Sequence, residues 1–92
     1  MRFPKVRTDT EKAFKMYHTL PYFTTNDVAK LFTCDRSTAY RIKVIIRAEM
    51  EKEPKKLYTD RDVIDKDVLY RVAGLNIRQI DKDYAVLMKF SS

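Results

Sequence analysis

The stretch from Phe23 to Met50, FTTNDVAKLFTCDRSTAYRIKVIIRAEM, carries two helix starts with one short joint between them. Thr24 stands at an N-cap position, and Asp27 three residues on completes a capping-box pattern that satisfies otherwise orphaned backbone N–H groups. Phe23 before the cap and Val28 one turn in can close as a hydrophobic staple. Val28, Ala29, Leu31 and Phe32 then form a short apolar stripe. Thr33, Cys34 and Asp35 interrupt it, and Asp35 offers the next N-cap. The pattern predicts one helix stopping near Phe32 and another from about Arg36 to Met50.

That second helix has two unlike faces. At about 100° per residue, Ala39, Ile42 and Ile46 fall together and must turn inward. Ser37, Tyr40, Arg41 and Val44 fall on the other side, with Arg36 at the leading edge. Hydrogen-bonding and cationic groups therefore crowd the outer face of the first turns.

Ala29 at a small position of the first helix, with Ala39 and Ile42 at inward positions of the second, resembles the helix-turn-helix of DNA-binding proteins. The chain departs from that motif at Thr33, where the turn usually holds Gly, and a residue with a Cβ takes that conformation only at some cost. The resemblance implies a recognition helix over 36–50 in the major groove of double-stranded DNA. Arg36, Ser37, Thr38, Tyr40, Arg41, Val44 and Arg47 are its expected contacts. Arg side chains would read guanine edges, and Ser37 and Thr38 would hold phosphate. The alternative is a helix-turn-helix that serves only as scaffold.

The formal charge of +6 is unevenly spread. Residues 1–56 hold 13 Lys/Arg against 7 Asp/Glu, whereas residues 57–92 hold 6 of each. A basic half joined to a neutral half suggests one side facing phosphate and another side for packing. Ninety-two residues suit a single small domain. Cys34 is the only cysteine, so no intrachain disulfide is expected, and a reducing, cytoplasmic location is compatible. No apolar run approaches the length of a membrane span, and no cleavable signal pattern stands at Met1.

In chain order, residues 1–7 read as a basic extended arm, reaching phosphate or a minor groove, or else a solvated terminus. Thr8 or Asp9 caps a first helix to about Thr19, with Ala13, Met16, Tyr17 and Leu20 inward against Leu31 and Ile42, and Pro21 ends it. His18 stands alone there, as a helix-end histidine. Lys55 and Lys56 belong to a charged, Pro-broken segment that meets backbone phosphate or simply water. Residues 57–64 read either as a small hairpin wing with Arg61 at its tip, or as part of a helix from Thr59 through Val72.

Asp65 is a plausible N-cap for a helix from Lys66 to Ala73 that buries Val68, Leu69 and Val72. Gly74 then terminates it in the left-handed conformation, with Leu75 packing back. Asn76 and Gln79 form a second capping pair, and Ile77, Ile80, Tyr84, Leu87 and Met88 predict a helix to about Phe90. A buried strand over 84–90 is the competing reading. Ala85, Val86 and Phe90 widen this helix's apolar face. Tyr84, Leu87, Met88 and Phe90 are therefore candidates for a homodimer interface, unless the helix simply closes its own domain.

The fold class expected is mainly α: a helix-turn-helix three-helix core over 8–50, the wing alternative at 57–64, and C-terminal helices over 65–92. Catalysis finds little support. One Gly builds no phosphate loop, no His/Cys set has metal-ligand spacing, and the paired Asp residues read as caps among Lys and Arg. No cofactor is expected. RNA binding lacks the aromatic sheet or Gly-bearing clamp of common RNA modules. VAKLFTCDRSTAYRIK and the small size resemble regulators of phages and mobile elements, excisionase-like or repressor-like, which implies control of transcription or recombination. A protein-binding adaptor that uses the C-terminal helix is the alternative of a different class.

Overall fold

The computed structural model describes residues 3–53 and 62–91. Among these residues five helices follow in order: α1 (Thr10–Thr19), α2 (Thr25–Phe32), α3 (Arg36–Met50), α4 (Lys66–Ala73) and α5 (Ile77–Ser91). No strand occurs among the described residues. None of their helices is long and apolar enough to cross a membrane.

Local side-chain chemistry sets the helix starts. Asp9 accepts from the Lys12 N–H at 2.6 Å, and Asp35 accepts from the Thr38 N–H at 2.8 Å. Asp65, itself buried, accepts from the Val68 N–H at 3.0 Å. Thr24 and Asp27 form the full capping box, and Asn76 accepts from the N–H groups of Arg78 and Gln79. The ends are equally local. Gly74 closes α4 at φ 79°, and the Leu75 N–H returns to the Tyr70 carbonyl at 2.8 Å. Thr33 closes α2 in the left-handed conformation at φ 49°.

Ala39, Ile42, Ile46 and Met50 form the fully buried side of α3, and Val28 and Leu31 of α2 meet them in one core with Phe23, Ile64 and Leu69. The main helix pairs are α2 on α3, α1 on α5 and α4 on α3, with a smaller contact of α1 on α2. Ala13 does reach the common core, but the chief neighbour of α1 is α5 rather than α2. Phe14 stacks on Tyr84 with ring centroids 3.9 Å apart, and His18 Nε2 lies 2.8 Å from Asp81 Oδ1. Tyr84 is thus engaged within its own chain, and residues 84–90 are helix rather than strand. Tyr70, which the amphipathic pattern of α4 leaves out, is buried, and its hydroxyl is satisfied there by donating to the Ala13 carbonyl at 2.7 Å.

Two segments depart from their simplest sequence readings. Residues 3–9 carry no helix, yet Phe3 meets Phe32 edge-on at 6.3 Å and Val6 packs on the core, leaving Lys5 and Arg7 outward. The arm is therefore docked. Of the hairpin expected at 57–64, residues 57–61 lie outside the described residues. Ile64 instead pairs with Phe23, through N–H to carbonyl bonds of 2.8 and 2.9 Å in the two directions. One helix running from Thr59 through Val72 is overturned, since residues 62–65 are not helical and Asp65 caps α4. Lys66 then reaches back to the Tyr17 and Leu20 carbonyls at 2.8 and 3.1 Å, satisfying the end of α1.

Two measurements check this account. Left-handed backbone costs a residue with a Cβ roughly 1–2 kcal/mol, part of which Gly gives back through its freer unfolded chain. Thr33→Gly should therefore raise stability by about 1 kcal/mol in urea unfolding. The hydrogen bond to Asp67, together with burial, pushes the Tyr17 phenol from 10.0 up to about 12. The resulting stabilisation is complete below the ordinary phenol pKa and is lost as pH rises through the raised one. Tyr17→Phe should flatten the alkaline limb of the pH–stability curve.

Candidate nucleic-acid interface

The burial of Ala39, Ile42 and Ile46 fixes which side of α3 looks outward. Tyr40 is 57% exposed and Val44 37%. Arg36, Ser37 and Arg41 are exposed beside them. No part of the described chain lies over this face. It borders a shallow groove of about 600 Å³ lined by Thr25, Arg36, Ser37, Tyr40, Arg41, Lys43 and Asp62.

The start of the helix is tightly determined. The Thr38 hydroxyl, and after it the Thr38 N–H, hold the Asp35 carboxyl below its ordinary range. Thr38 is half-buried and belongs to the cap. Of the two hydroxyls expected to hold phosphate, Ser37 is the exposed one. Cys34, half-buried in the joint, has its thiol pushed up by burial and then by the neighbouring Asp35 charge.

Arg47 takes a different role from the one its register suggests. Its guanidinium donates to the Val63 carbonyl at 2.9 Å, tying the last turns of α3 to the segment that leads into α4. Lys55, Lys56 and Arg61 lie outside the described residues. Sequence reasoning missed Lys43 and Asp62. Lys43 falls three residues after Tyr40 on the same helical flank, so the signal for it was present. Asp62 enters from across the fold and leaves no such signal.

A second cationic concavity, about 480 Å³, runs along the docked arm, where Lys5, Arg7 and Lys12 surround the joint at Thr33 and Cys34. Lys12 Nζ donates to Thr33 Oγ1 at 2.9 Å. Among the described residues no three His, Cys, Asp or Glu side chains are grouped to hold a metal ion. The C-terminal candidates divide: Leu87, Met88 and Phe90 are exposed, with Val86 beside them, whereas Tyr84 is half-buried on Phe14.

Comparison of the chain with family models, curated proteins and solved structures gives no match. The geometry of Arg47 makes a separable prediction. Hydrogen bonds from charged groups contribute about 1.5–3 kcal/mol. Arg47→Ala should destabilise the fold by an amount of that order in chemical unfolding, whereas Ser37→Ala should leave stability nearly unchanged.

Proposed function

We propose that this chain binds double-stranded DNA sequence-specifically, with α2 and α3 as a helix-turn-helix and α3 as the recognition helix in the major groove. The observation that carries the reading is the open outer face of α3, where Arg36, Ser37, Tyr40 and Arg41 line one groove and Val44 is exposed on the same helix. A helix of 15 residues is about 22 Å long, and its diameter matches the width of a major groove. Arg36 and Arg41 supply the two-pronged donors that guanine edges accept, and Ser37 supplies a phosphate contact. Tyr40 and Val44 offer apolar surface to thymine methyls. The positive excess over residues 1–56 supplies long-range attraction to the phosphates.

Within this reading the docked arm places Lys5 and Arg7 beside the joint that leads into α3, where they extend the phosphate-facing surface. The biological role is that of a small regulator of transcription or recombination, of the kind carried by phages and mobile elements. Excisionase-like and repressor-like action both use such a reader. A homodimer through the end of α5 would pair two readers on a two-fold site. The partner is duplex DNA, no cofactor is needed, and the chain is not an enzyme.

The exposed Val86, Leu87, Met88 and Phe90 support a second reading, a protein-binding adaptor with α5 as its interface. One experiment separates the two: selection from randomised duplexes, followed by affinity measurements across a salt series. DNA reading predicts a selected motif and an affinity that falls steeply with salt through counterion release. Arg41→Ala should cost about 1–3 kcal/mol on the selected site and relax preference at one base pair. No enrichment, together with partner binding that depends on Phe90 and ignores salt, would transfer the assignment to the adaptor.

A further inference from the structure

Among the described residues, the groove beside Tyr40 is lined by three cations, Arg36, Arg41 and Lys43, and by a single carboxylate, Asp62. Arg36 and Arg41 stand on the exposed face, and neither forms an ion pair among the described residues. Lys43 differs from both. Its side chain is 15% exposed, and its ammonium lies 2.7 Å from Asp62 Oδ1. The same ammonium sits 5.5 Å from the centroid of the Tyr40 ring. The Asp62 side chain is 76% exposed, at the rim where a ligand would enter. Its hydrogen bond and ion pair with Lys43 hold its carboxyl below the usual range, so it is ionised at neutral pH.

A carboxylate is an unexpected group to find in a groove that is otherwise cationic. If the groove only had to attract phosphate, Asp62 would work against it twice: it neutralises one of three cations and repels the backbone itself. Both effects fall most heavily on binding that depends on charge alone. Contacts from Arg36 and Arg41 to base edges are set by geometry and are less affected. The carboxylate thus acts on the difference between the right and the wrong duplex, which is where specificity resides.

We propose that Asp62 is a selectivity residue, holding Lys43 out of the phosphate contacts and so suppressing binding to non-cognate DNA. The inference rests on the duplex-reading role of α3 argued above. It assigns Asp62 no contact with the bases, and it makes Lys43 a cation available to phosphate only once its partner's charge is removed.

The test compares the full chain with its Asp62→Asn, Lys43→Met/Asp62→Asn and Arg41→Ala variants, by fluorescence anisotropy on a selected site and on a random-sequence duplex across a salt series. Asparagine keeps the size and polarity of the exposed side chain, and thermal unfolding verifies that each variant is folded. Asp62→Asn should bind the random duplex several-fold more tightly, and its log–log salt slope should steepen by about 0.9, the value for one further neutralised phosphate. The ratio between selected and random duplex should narrow. In the Lys43→Met background the added slope should vanish. An unchanged slope in Asp62→Asn, or a steepening that survives the loss of Lys43, overturns the inference. Failure of the parent chain to bind any duplex removes the DNA reading, and this proposal with it. Duplex binding that Arg41→Ala weakens and Asp62→Asn leaves unaltered removes only the role of Asp62.

Discussion

Ala39, Ile42, Ile46 and Met50 fix the rotation of α3 about its own axis, and the other helices are arranged around that choice. All four are fully buried. Fully burying a large aliphatic side chain stabilises a fold by about 1.5–3 kcal/mol. Turning the helix by one residue would bring Ile42 and Ile46 toward water and drive Arg41 or Arg47 toward the core. Against a net stability of about 5–15 kcal/mol for a typical domain, such a turn is not survivable. The exposure of Tyr40, Arg41 and Val44 is the other side of that packing, so the core decides which face of α3 looks outward.

A second constraint joins parts of the chain that are distant in sequence. Phe23 is buried at the entrance to α2, and its backbone pairs with Ile64 just before α4. Arg47 adds a bond from α3 to the Val63 carbonyl in the same segment. The segment before α4 is thereby held against both α2 and α3, and Asp62 arrives at the rim of the groove beside Lys43. The ion pair at the groove is thus a consequence of how the core closes.

What the sequence made legible was local. The caps at Asp9, Thr24, Asp35, Asp65 and Asn76 each act within three residues, so the helix starts were readable without a fold. Gly74 as a terminator was readable for the same reason. The inward positions of α3 followed from a period of 3.6 residues. What stayed hidden depended on the register between helices. Nothing in the α4 pattern shows that the Tyr70 hydroxyl will find the Ala13 carbonyl. Nothing in α5 tells whether Tyr84 faces Phe14 or a second copy of the chain. Arg47 shows the limit of a wheel projection: it projects on the side of Tyr40, yet its long side chain bends to a neighbouring segment. The outer residues Arg36, Ser37, Tyr40, Arg41 and Val44 were placed correctly on the helix surface, but whether a duplex occupies them is a matter of binding rather than of fold.

The end of α5 follows from the same geometry. Phe14 meets Tyr84 and His18 meets Asp81, so residue numbers rise on one helix as they fall on the other, and α1 and α5 run antiparallel. α1 has 10 residues and α5 has 15, a difference of about 7 Å in length. From the Phe14–Tyr84 pair four residues remain to the start of α1 and seven to the end of α5, so the last turn of α5 extends past the start of α1, and Met88, on the same side as Tyr84, stands at the edge of that cover and is exposed. Val86 and Phe90 are exposed for another reason: they project more than a quarter-turn away from the packed side. The two causes converge on one apolar end, on a helix pair different from the one that presents the α3 face. A reader of duplex DNA that works in pairs needs two such independent surfaces, one basic and one apolar. An adaptor needs only the second, which leaves the open cationic face of α3 without a purpose in that reading.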